Sequence, residues 1–304
     1  EELLFGSSPI DSSSKISVDF SDKVDALINS QSGLDSIELN LKLWLDASNI
    51  NASSNTGINT NNSITTWTDL SGSGHSALAN GNYKGTLTAD NRIDFQYIPG
   101  YIISAPVVDT INQTIFIVEK LKYGTDTEEQ ARLFQSYNQS IDSSATKWWQ
   151  SSSSHFQISY RYSNRVYYRR KDNSTNDKFV FSTNTFLNFD PIYKPRLLMT
   201  QTLNNTQSKI VFDGDKVNEY NWPYTITPLD SSYKLLVANY YRGEIAEILI
   251  FDKSLSTNEI NKINYYLSKK WGLDTYTDSD NDGYTDSEEL LFGSSPIDSS
   301  SKIS

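Results

Sequence analysis

The chain has 304 residues, a formal net charge of −11 and no cysteine. The acidic balance argues against nucleic-acid binding, which needs a basic surface, and the lack of cysteine excludes disulfides, zinc–thiolate sites and thiol catalysis. No run approaches the ~20 apolar residues of a membrane-spanning helix, so we expect no direct membrane insertion.

The first 17 residues are identical to the last 17, residues 288–304. Repetition at a fixed offset is typical of tandem arrays, so we interpret residues 1–17 as the back half of a preceding copy of the C-terminal element. An artefact of how the segment was designed is the alternative. Residues 18–37 are predicted to form a linker with a short helix.

Strand signals dominate from about Ile37 to Phe251. The run from Thr114 to Lys120 is apolar throughout, as expected of a strand buried on both faces. Asp213 and Gly214 separate two apolar segments and predict a hairpin turn. Many short strands joined by loops rich in Asn, Ser and Thr favour an all-β jelly-roll sandwich of two sheets.

One strong helix is predicted after these strands. Ser256 followed three residues later by Glu259 forms a capping box, and Gly272 is expected just after the last turn. Four apolar residues recur at helical spacing and predict one face that packs on the sandwich. They are Ile260, Ile263, Leu267 and Trp271.

Residues 38–273 resemble the bacterial laminin-G-like branch of the concanavalin-A-type jelly rolls. The resemblance rests on five segments in order: LKLWLDASNI, WTDLSGSGHSA, RIDFQYIPGYI, TIFIVEK and GEIAEILIFDKSLSTNEINKINYYLSKKWGL. It implies two curved antiparallel sheets packed face to face, with a C-terminal packing helix. It does not fix the function, because this fold serves lectins, glucanases, adhesion modules and spacers.

An acidic segment after the helix matches the pattern D-x-D-x-D-G-x-x-D-x-x-E. Ca²⁺ prefers six to eight oxygen ligands, which such a loop delivers, and Gly283 permits its sharp turn. A solvated acidic linker is the alternative. The predicted calcium ligands are the side chains of Asp278, Asp280, Asp282, Asp286 and Glu289 and the backbone carbonyl of Tyr284.

Residues 274–304 resemble the bacterial thrombospondin type 3 repeat, an EF-hand-like calcium-binding element. The resemblance rests on the acidic loop followed by EELLFGSSPIDSSS, and it implies a short amphipathic helix, a turn and often a second acidic loop. Here the turn Gly293–Pro296 lacks the usual Asp before Pro, and the second loop from Asp298 has decayed to DSSSKI. We therefore expect one calcium ion.

No catalytic residue is predicted. Glu244 and Glu247 are three residues apart, an odd offset that would place them on opposite faces of a strand, so they could not flank one glycosidic bond. Neither His75 nor His155 lies in a recognisable catalytic motif. Asp69 is expected to cap a turn rather than to bind metal.

Two features keep a lectin open as an alternative. Trp148 and Trp149 lie in a polar setting and are possible glycan contacts, because aromatic rings stack on sugar faces. The alternation of aromatic and basic residues in 160–171 fits either a nucleic-acid or glycan surface or the exposed, charged face of a β-hairpin, and the hairpin is favoured.

The sequence hypothesis is therefore a non-enzymatic extracellular module. It would be a calcium-braced structural or adhesive unit of a long cell-surface stalk or filament. Its partners would be neighbouring identical modules in the same or adjacent chains. A glycan-binding, lectin-like adhesin domain is the alternative.

Overall fold

The computed structural model describes residues 40–103, 112–122, 131–138, 156–161, 165–171, 177–181, 194–204, 206–221 and 233–303. The two N-terminal segments assigned from sequence, residues 1–17 and 18–37, lie outside these ranges, as do Trp148 and Trp149. No helix in the described part of the chain is long and apolar enough to span a membrane.

The described residues form sixteen strands and two α-helices. In chain order the strands are β1 (Leu41–Asp46), β2 (Thr66–Trp67), β3 (Ala77–Ala79), β4 (Thr86–Leu87), β5 (Ile93–Asp94), β6 (Tyr101–Ile103), β7 (Gln113–Leu121), β8 (Ala131–Asn138), β9 (Phe156–Arg161), β10 (Arg165–Lys171), β11 (Asp177–Phe181), β12 (Arg196–Leu203), β13 (Gln207–Phe212), β14 (Asp215–Asn221), β15 (Tyr233–Val237) and β16 (Gly243–Phe251). The helices are α1 (Thr257–Trp271) and α2 (Asp286–Phe292).

The strands pair into two antiparallel sheets, as expected for the predicted sandwich. Sheet one has the order β14-β13-β12-β7-β16-β5-β4, and β1 also pairs with β16. Sheet two has the order β11-β10-β9-β8-β15-β6-β3-β2. The all-β, two-sheet fold class is confirmed. Within the basic, aromatic segment, residues 160–161 lie in β9 and residues 165–171 form β10, and these two strands pair with each other.

Strand β7 shows why its sequence is apolar throughout. Ile115 and Ile117 face the core between the two sheets, whereas Phe116 and Val118 face a second core under α1. Both faces of the strand are therefore buried, and each large side chain that is fully buried contributes about 1.5–3 kcal/mol.

Helix α1 begins and ends as predicted. The Ser256–Glu259 capping box is present, and Gly272 adopts a left-handed conformation with φ 66°. Ile263 and Leu267 are buried in the second core beneath the helix, and Trp271 packs against that core. The helical spacing of the apolar residues, the capping residues and the burial of one face all indicate the same helix, α1.

A buried ion pair fixes the last turn of α1 to sheet one. Lys270 Nζ lies 2.7 Å from Asp46 Oδ2 and 2.5 Å from Glu247 Oε2, and the indole nitrogens of Trp44 and Trp271 also donate to Glu247. Burial alone would lower the pKa of Lys270, but the two carboxylates raise it well above its usual value. The cation therefore stays charged inside the packed interface.

Glu244 and Glu247 lie on the same face of β16, so the prediction from their spacing is wrong. The strand shifts register against β7 between Ile245 and Glu247, and such a bulge interrupts the alternation of faces. Glu244 forms an ion pair with Lys120, which follows Val118 on the outer face of β7. Glu247 has no exposed surface, and it accepts hydrogen bonds from Lys270 and Trp271 on α1. The two carboxylates therefore do not flank an open cleft.

A further buried carboxylate lies between the sheets. Glu119 on β7 accepts hydrogen bonds from the hydroxyl groups of Tyr160 on β9 and of Tyr241. Burial raises the pKa of Glu119 to about 7 in spite of these bonds. This polar cluster links the two sheets across the core.

Candidate calcium site

The acidic loop, defined here as residues 278–289, runs from the turn after α1 into helix α2. Its tight curvature uses left-handed backbone at Asn281, with φ 60°, and at Gly283, with φ 101°. Thr285 and Glu288 then form a capping box that starts α2. The loop therefore has the sharp turn and the following helix that the sequence pattern predicts.

Three of the predicted ligands meet in space. Asp278, Asp280 and Asp282 each offer a carboxylate oxygen, and these three atoms lie within 4.8 Å of one another. Two backbone amides orient Asp278, with Gly283 N donating at 2.8 Å and Asp282 N at 3.2 Å. Three carboxylates held this close repel one another unless a cation or a proton offsets the charge.

Four carboxylate oxygens of the acidic loop are buried and accept no hydrogen bond. They are both carboxylate oxygens of Asp280, Oδ2 of Asp282 and Oε2 of Glu289. Buried polar atoms are almost always paired, so oxygens from three carboxylates that accept no hydrogen bond are suited to a cation that they would share. Hard oxygen donors in this number fit Ca²⁺.

The protonation equilibria of the loop reflect the same crowding. Burial, followed by repulsion from Asp282 and Asp278, raises the pKa of Asp280 to about 7. Burial and the charge of Asp280 likewise raise the pKa of Glu289 to about 7. Without a cation, bound protons therefore neutralise part of the negative charge of these carboxylates.

Asp286 has a different role from the three clustered aspartates. Its Oδ1 accepts a hydrogen bond from Ser279 N at 2.9 Å, and its Oδ2 accepts bonds from the hydroxyl groups of Ser279 and of Ser268 on α1. Burial raises its pKa to about 6. In this arrangement Asp286 holds the loop on α1, and its direct ligation of calcium stays a prediction.

Tyr284 lies at the exposed end of the loop. Its backbone N–H donates to Asp282 Oδ1 at 3.0 Å, and its side chain is 37% exposed. The carbonyl of Tyr284 as a calcium ligand stays a prediction. The segment from Asp298 forms a small turn, in which Asp298 Oδ1 accepts bonds from the amide and the hydroxyl of Ser300.

The acidic loop is packed on the sandwich and is not a free linker. Asp278 N donates to Asp213 O at 2.8 Å, in the turn between β13 and β14. A Cβ atom at Gly214 in that turn would lie 1.5 Å from Asp278 O, so only glycine permits the approach. The predicted Asp213–Gly214 turn thus also serves as a support for the loop.

Sequence reasoning missed the contribution of α1 to this site. Asn264 Nδ2 donates to Ser279 O at 3.2 Å, and Asn261 Nδ2 donates to Ile297 O at 3.3 Å. With Ser268 these residues form a buried polar stripe at positions i, i+3 and i+7, next to the apolar stripe. That spacing on an otherwise amphipathic helix was the signal available in the sequence.

Asp69 caps a turn, as predicted. Its Oδ1 accepts bonds from Ser71 N and Trp44 N, both at 3.0 Å, and its Oδ2 accepts a bond from His75 N at 2.8 Å. The carboxylate thus closes the glycine-containing loop and ties it to β1.

Comparisons with known proteins give a fold but no family. No family model matches the chain, and no curated protein matches it significantly. Similar solved structures include the binding domain of Paraclostridial Mosquitocidal Protein 1, with 12% identity, a TM-score of 0.52, and coverage of 76% of this chain and 52% of that chain.

Two further similar structures belong to botulinum neurotoxins. One comes from botulinum neurotoxin type C, whose cell entry is described as dependent on interaction with two ganglioside molecules. It has 12% identity, a TM-score of 0.51, and coverage of 79% of this chain and 53% of that chain. The other is the binding domain of neurotoxin DC in complex with rat synaptotagmin II, with 14% identity, a TM-score of 0.52 and coverage of 77% and 52%. The chain spans about half the length of these proteins, and at such identities the likeness shows the fold alone.

Proposed function

We propose that this chain is a non-enzymatic extracellular module in which Ca²⁺ organises the acidic loop against a β-sandwich. The observation that carries the proposal is the set of buried carboxylate oxygens without partners on Asp280, Asp282 and Glu289. A bound cation would satisfy these atoms and offset their mutual repulsion. Loops in extracellular modules bind Ca²⁺ at about 10⁻⁴–10⁻³ M, which suits millimolar calcium outside cells.

The loop's attachment to α1 and to the β13–β14 turn supports a bracing role. Binding energy gained at the carboxylates would stabilise contacts that already join residues 278–303 to the sandwich. Calcium would therefore fix the direction in which the chain leaves the module.

Neighbouring copies of the module are the proposed partners. Helix α2 carries three exposed apolar side chains, Leu290, Leu291 and Phe292, which are 45%, 78% and 66% exposed. The same residues recur in residues 1–17, so a tandem array would repeat this apolar surface at every junction. A following copy that covers the surface would make the junction stiff, as a stalk or filament requires.

Small-angle scattering from two tandem copies tests the bracing role. With millimolar Ca²⁺ we expect a long, fixed maximum dimension, and with chelator a broad distribution of dimensions. The matched control carries Asp280→Asn in both copies and should look alike in the two conditions. Equal profiles of the unsubstituted tandem with and without calcium would refute bracing.

Glycan recognition is the second candidate function. The similar solved structures are binding domains, and a β-sandwich of this kind is compatible with carbohydrate recognition. Trp148 and Trp149 remain predicted contacts outside the described residues. The specific observation that favours this candidate is a cleft at the ends of β5, β7 and β16, lined by Tyr97 and by polar and charged side chains that include Asp94, Lys122 and Arg242.

A further inference from the structure

The last turn of helix α1 holds a lysine between two carboxylates in the interior of the fold. Asp46 ends β1 and lies directly opposite Glu247 on β16 in the antiparallel pair. The side chains of both acids have no exposed surface, and Lys270 Nζ lies 2.7 Å from Asp46 Oδ2 and 2.5 Å from Glu247 Oε2. Like charges directly opposite each other destabilise a sheet, and one acid would suffice to neutralise one lysine. The second acid therefore calls for an explanation.

Aromatic side chains surround these three groups. Trp44 is completely buried, and Lys270 Nζ lies 5.1 Å from the ring centroid of Trp271 and 5.4 Å from that of Tyr266. Each ion that is held away from water carries a desolvation penalty, which an uncharged product would not carry. These surroundings favour a reaction that consumes a positive and a negative charge together.

The carboxylate of Asp46 is held differently at its two oxygens. Its Oδ2 faces Lys270, whereas its Oδ1 accepts hydrogen bonds from Ser48 N at 2.8 Å and from Ser48 Oγ at 2.6 Å. Two fixed donors on one oxygen stabilise the negative charge that develops there when the attached carbon is attacked. The carboxyl carbon, one bond from Oδ2, is thus presented to the lysine nitrogen as an electrophile.

Glu247 is positioned to carry protons beside the lysine nitrogen. Its Oε1 accepts hydrogen bonds from Trp44 Nε1 at 2.8 Å and from the Tyr266 hydroxyl at 3.2 Å. Its Oε2 accepts a bond from Trp271 Nε1 at 2.7 Å in addition to the bond from Lys270. A carboxylate that is fixed within hydrogen-bond reach of an amine has the geometry of a general base.

We propose that Lys270 and Asp46 condense to an intramolecular amide, an isopeptide bond, with Glu247 as the proton carrier. The bond from Nζ to Cγ of Asp46 forms, and the bond from Cγ to Oδ2 breaks. Two of the three ammonium protons leave with Oδ2 as one water molecule, and the third stays on the amide nitrogen. Charge is conserved, and no oxidant, reductant or other reactant is needed.

The charged ion pair is the resting form, and attack starts from the tautomer in which one proton has moved from Nζ to Asp46 Oδ2. This transfer follows the existing 2.7 Å hydrogen bond. Glu247 then takes a second proton as the new bond forms and returns it to the departing oxygen. Reactants held in contact reach effective concentrations of about 10⁵–10⁸ M. Lys270 and Ser48 also line a cleft of about 380 Å³, which gives the released water an exit.

A second lysine with two carboxylates serves as an internal comparison. Lys122 Nζ lies 2.9 Å from Asp94 Oδ2 and 2.7 Å from Glu244 Oε1, so its distances alone would fit the same reaction. The side chains of these two acids are 11% and 7% exposed, however, and that of Lys122 is 26% exposed. Because solvent stabilises the charged forms, we expect Lys122 to remain an ion pair.

The bond would join the two ends of the sandwich. Asp46 ends the first strand, and Lys270 lies in the last turn of α1, 224 residues further along the chain. The chain has no cysteine, so a disulfide cannot make such a link. Tension applied between residues 40 and 273 would pass through the amide and spare the strands between them. This inference goes beyond the proposed function and does not depend on calcium.

Intact-mass spectrometry of the folded 304-residue protein, denatured just before injection, tests the bond. We expect the wild type to be lighter than its sequence mass by one water molecule, and a protease digest to contain a branched peptide that joins Asp46 to Lys270. Lys270→Arg and Asp46→Ala should restore the sequence mass. Lys269→Arg and Lys122→Arg are the matched controls and should keep the loss of water.

Glu247→Gln tests the proton carrier. General acid–base groups contribute about 10²–10⁴-fold to a rate, so this variant should form the bond at least about 100-fold more slowly and should be recovered at its sequence mass. Formation at the wild-type rate in Glu247→Gln would overturn the role of Glu247. Circular dichroism of each variant shows whether it has folded.

The outcome for the wild type decides the proposal without any substitution. A folded wild type that keeps its full sequence mass after prolonged incubation overturns the bond. A loss of water that persists in Lys270→Arg also overturns it, because a succinimide at Asp213–Gly214 would have the same mass. A branched peptide that joins Lys270 to Glu247 would overturn the choice of Asp46 as the partner.

Discussion

Replacing Asp280 with Asn should have opposite effects on stability with and without calcium. The substitution keeps the shape of the side chain and removes one of three carboxylates whose oxygens lie within 4.8 Å of one another. In calcium the variant loses a charged ligand. In chelator it loses a source of repulsion, so it should be more stable than the wild type.

The two effects can be sized from the structure. With a dissociation constant of about 10⁻⁴ M, about 10 mM free Ca²⁺ stabilises the wild type by about 2.7 kcal/mol. Two unit charges at 4.8 Å repel by about 3 kcal/mol at an effective dielectric constant of about 20. Because the pKa of Asp280 is raised to about 7, about half of its charge is present at neutral pH, and salt screens the rest. We therefore expect a gain of about 1 kcal/mol in chelator.

Calorimetric melting at neutral pH, with calcium and with chelator, checks whether the order of stability of the wild type and Asp280→Asn reverses. Using about 2 °C per kcal/mol for a domain of this size, the wild type should gain about 5 °C from calcium and Asp280→Asn almost none. Asp298→Asn is the matched control, because Asp298 is exposed in the degenerate second loop. An unchanged calcium response in Asp280→Asn, or the same destabilisation in both conditions, would refute the site.

Three further predictions concern protons and the fixing of α1. In chelator, the pKa values of Asp280 and Glu289 are raised, so the folded state binds more protons than the unfolded state between about pH 4 and 7. The melting temperature should therefore rise on acidification over this range. Asp280→Asn should flatten this rise, and calcium should reverse it. Lys270→Ala leaves buried Glu247 without its cation and should cost about 3–5 kcal/mol in urea unfolding, against under about 1 kcal/mol for the neighbouring Lys269→Ala. Ser268→Ala removes a hydroxyl that holds the acidic loop, so calcium affinity measured by calorimetry should fall roughly tenfold; an unchanged affinity would exclude this support.

Local signals in the sequence predicted the individual elements well. The apolar run of β7, the Ser256–Glu259 capping box and the Asp213–Gly214 turn each depend on residues close in the chain, and each appears in the structure. The prediction that Glu244 and Glu247 lie on opposite faces of β16 was wrong because a bulge between them depends on pairing with β7. The spacing of two residues in the sequence does not encode that pairing.

The candidate sites were predictable to different extents. The acidic loop is a continuous motif, so Asp278, Asp280 and Asp282 could be brought together from their spacing. The support from α1 depends on how the loop folds back, and only the buried polar stripe hinted at it. The cleft around Tyr97 and Arg242 combines segments about 145 residues apart, so nothing local in the sequence marked it.

Helix α1 uses one side against sheet one and another against the acidic loop. Cutting the chain after Leu273 would expose Asn264 and Ser268 and would remove the Asp278 amide, which donates to the carbonyl of Asp213. A recombination event that moved the sandwich into another protein without the following residues would therefore transfer a damaged surface. The heritable unit of this architecture is the sandwich together with the acidic loop and the residues that follow it as far as Ile297, whose carbonyl accepts a hydrogen bond from Asn261 on α1, so a tolerated crossover point would lie beyond that residue.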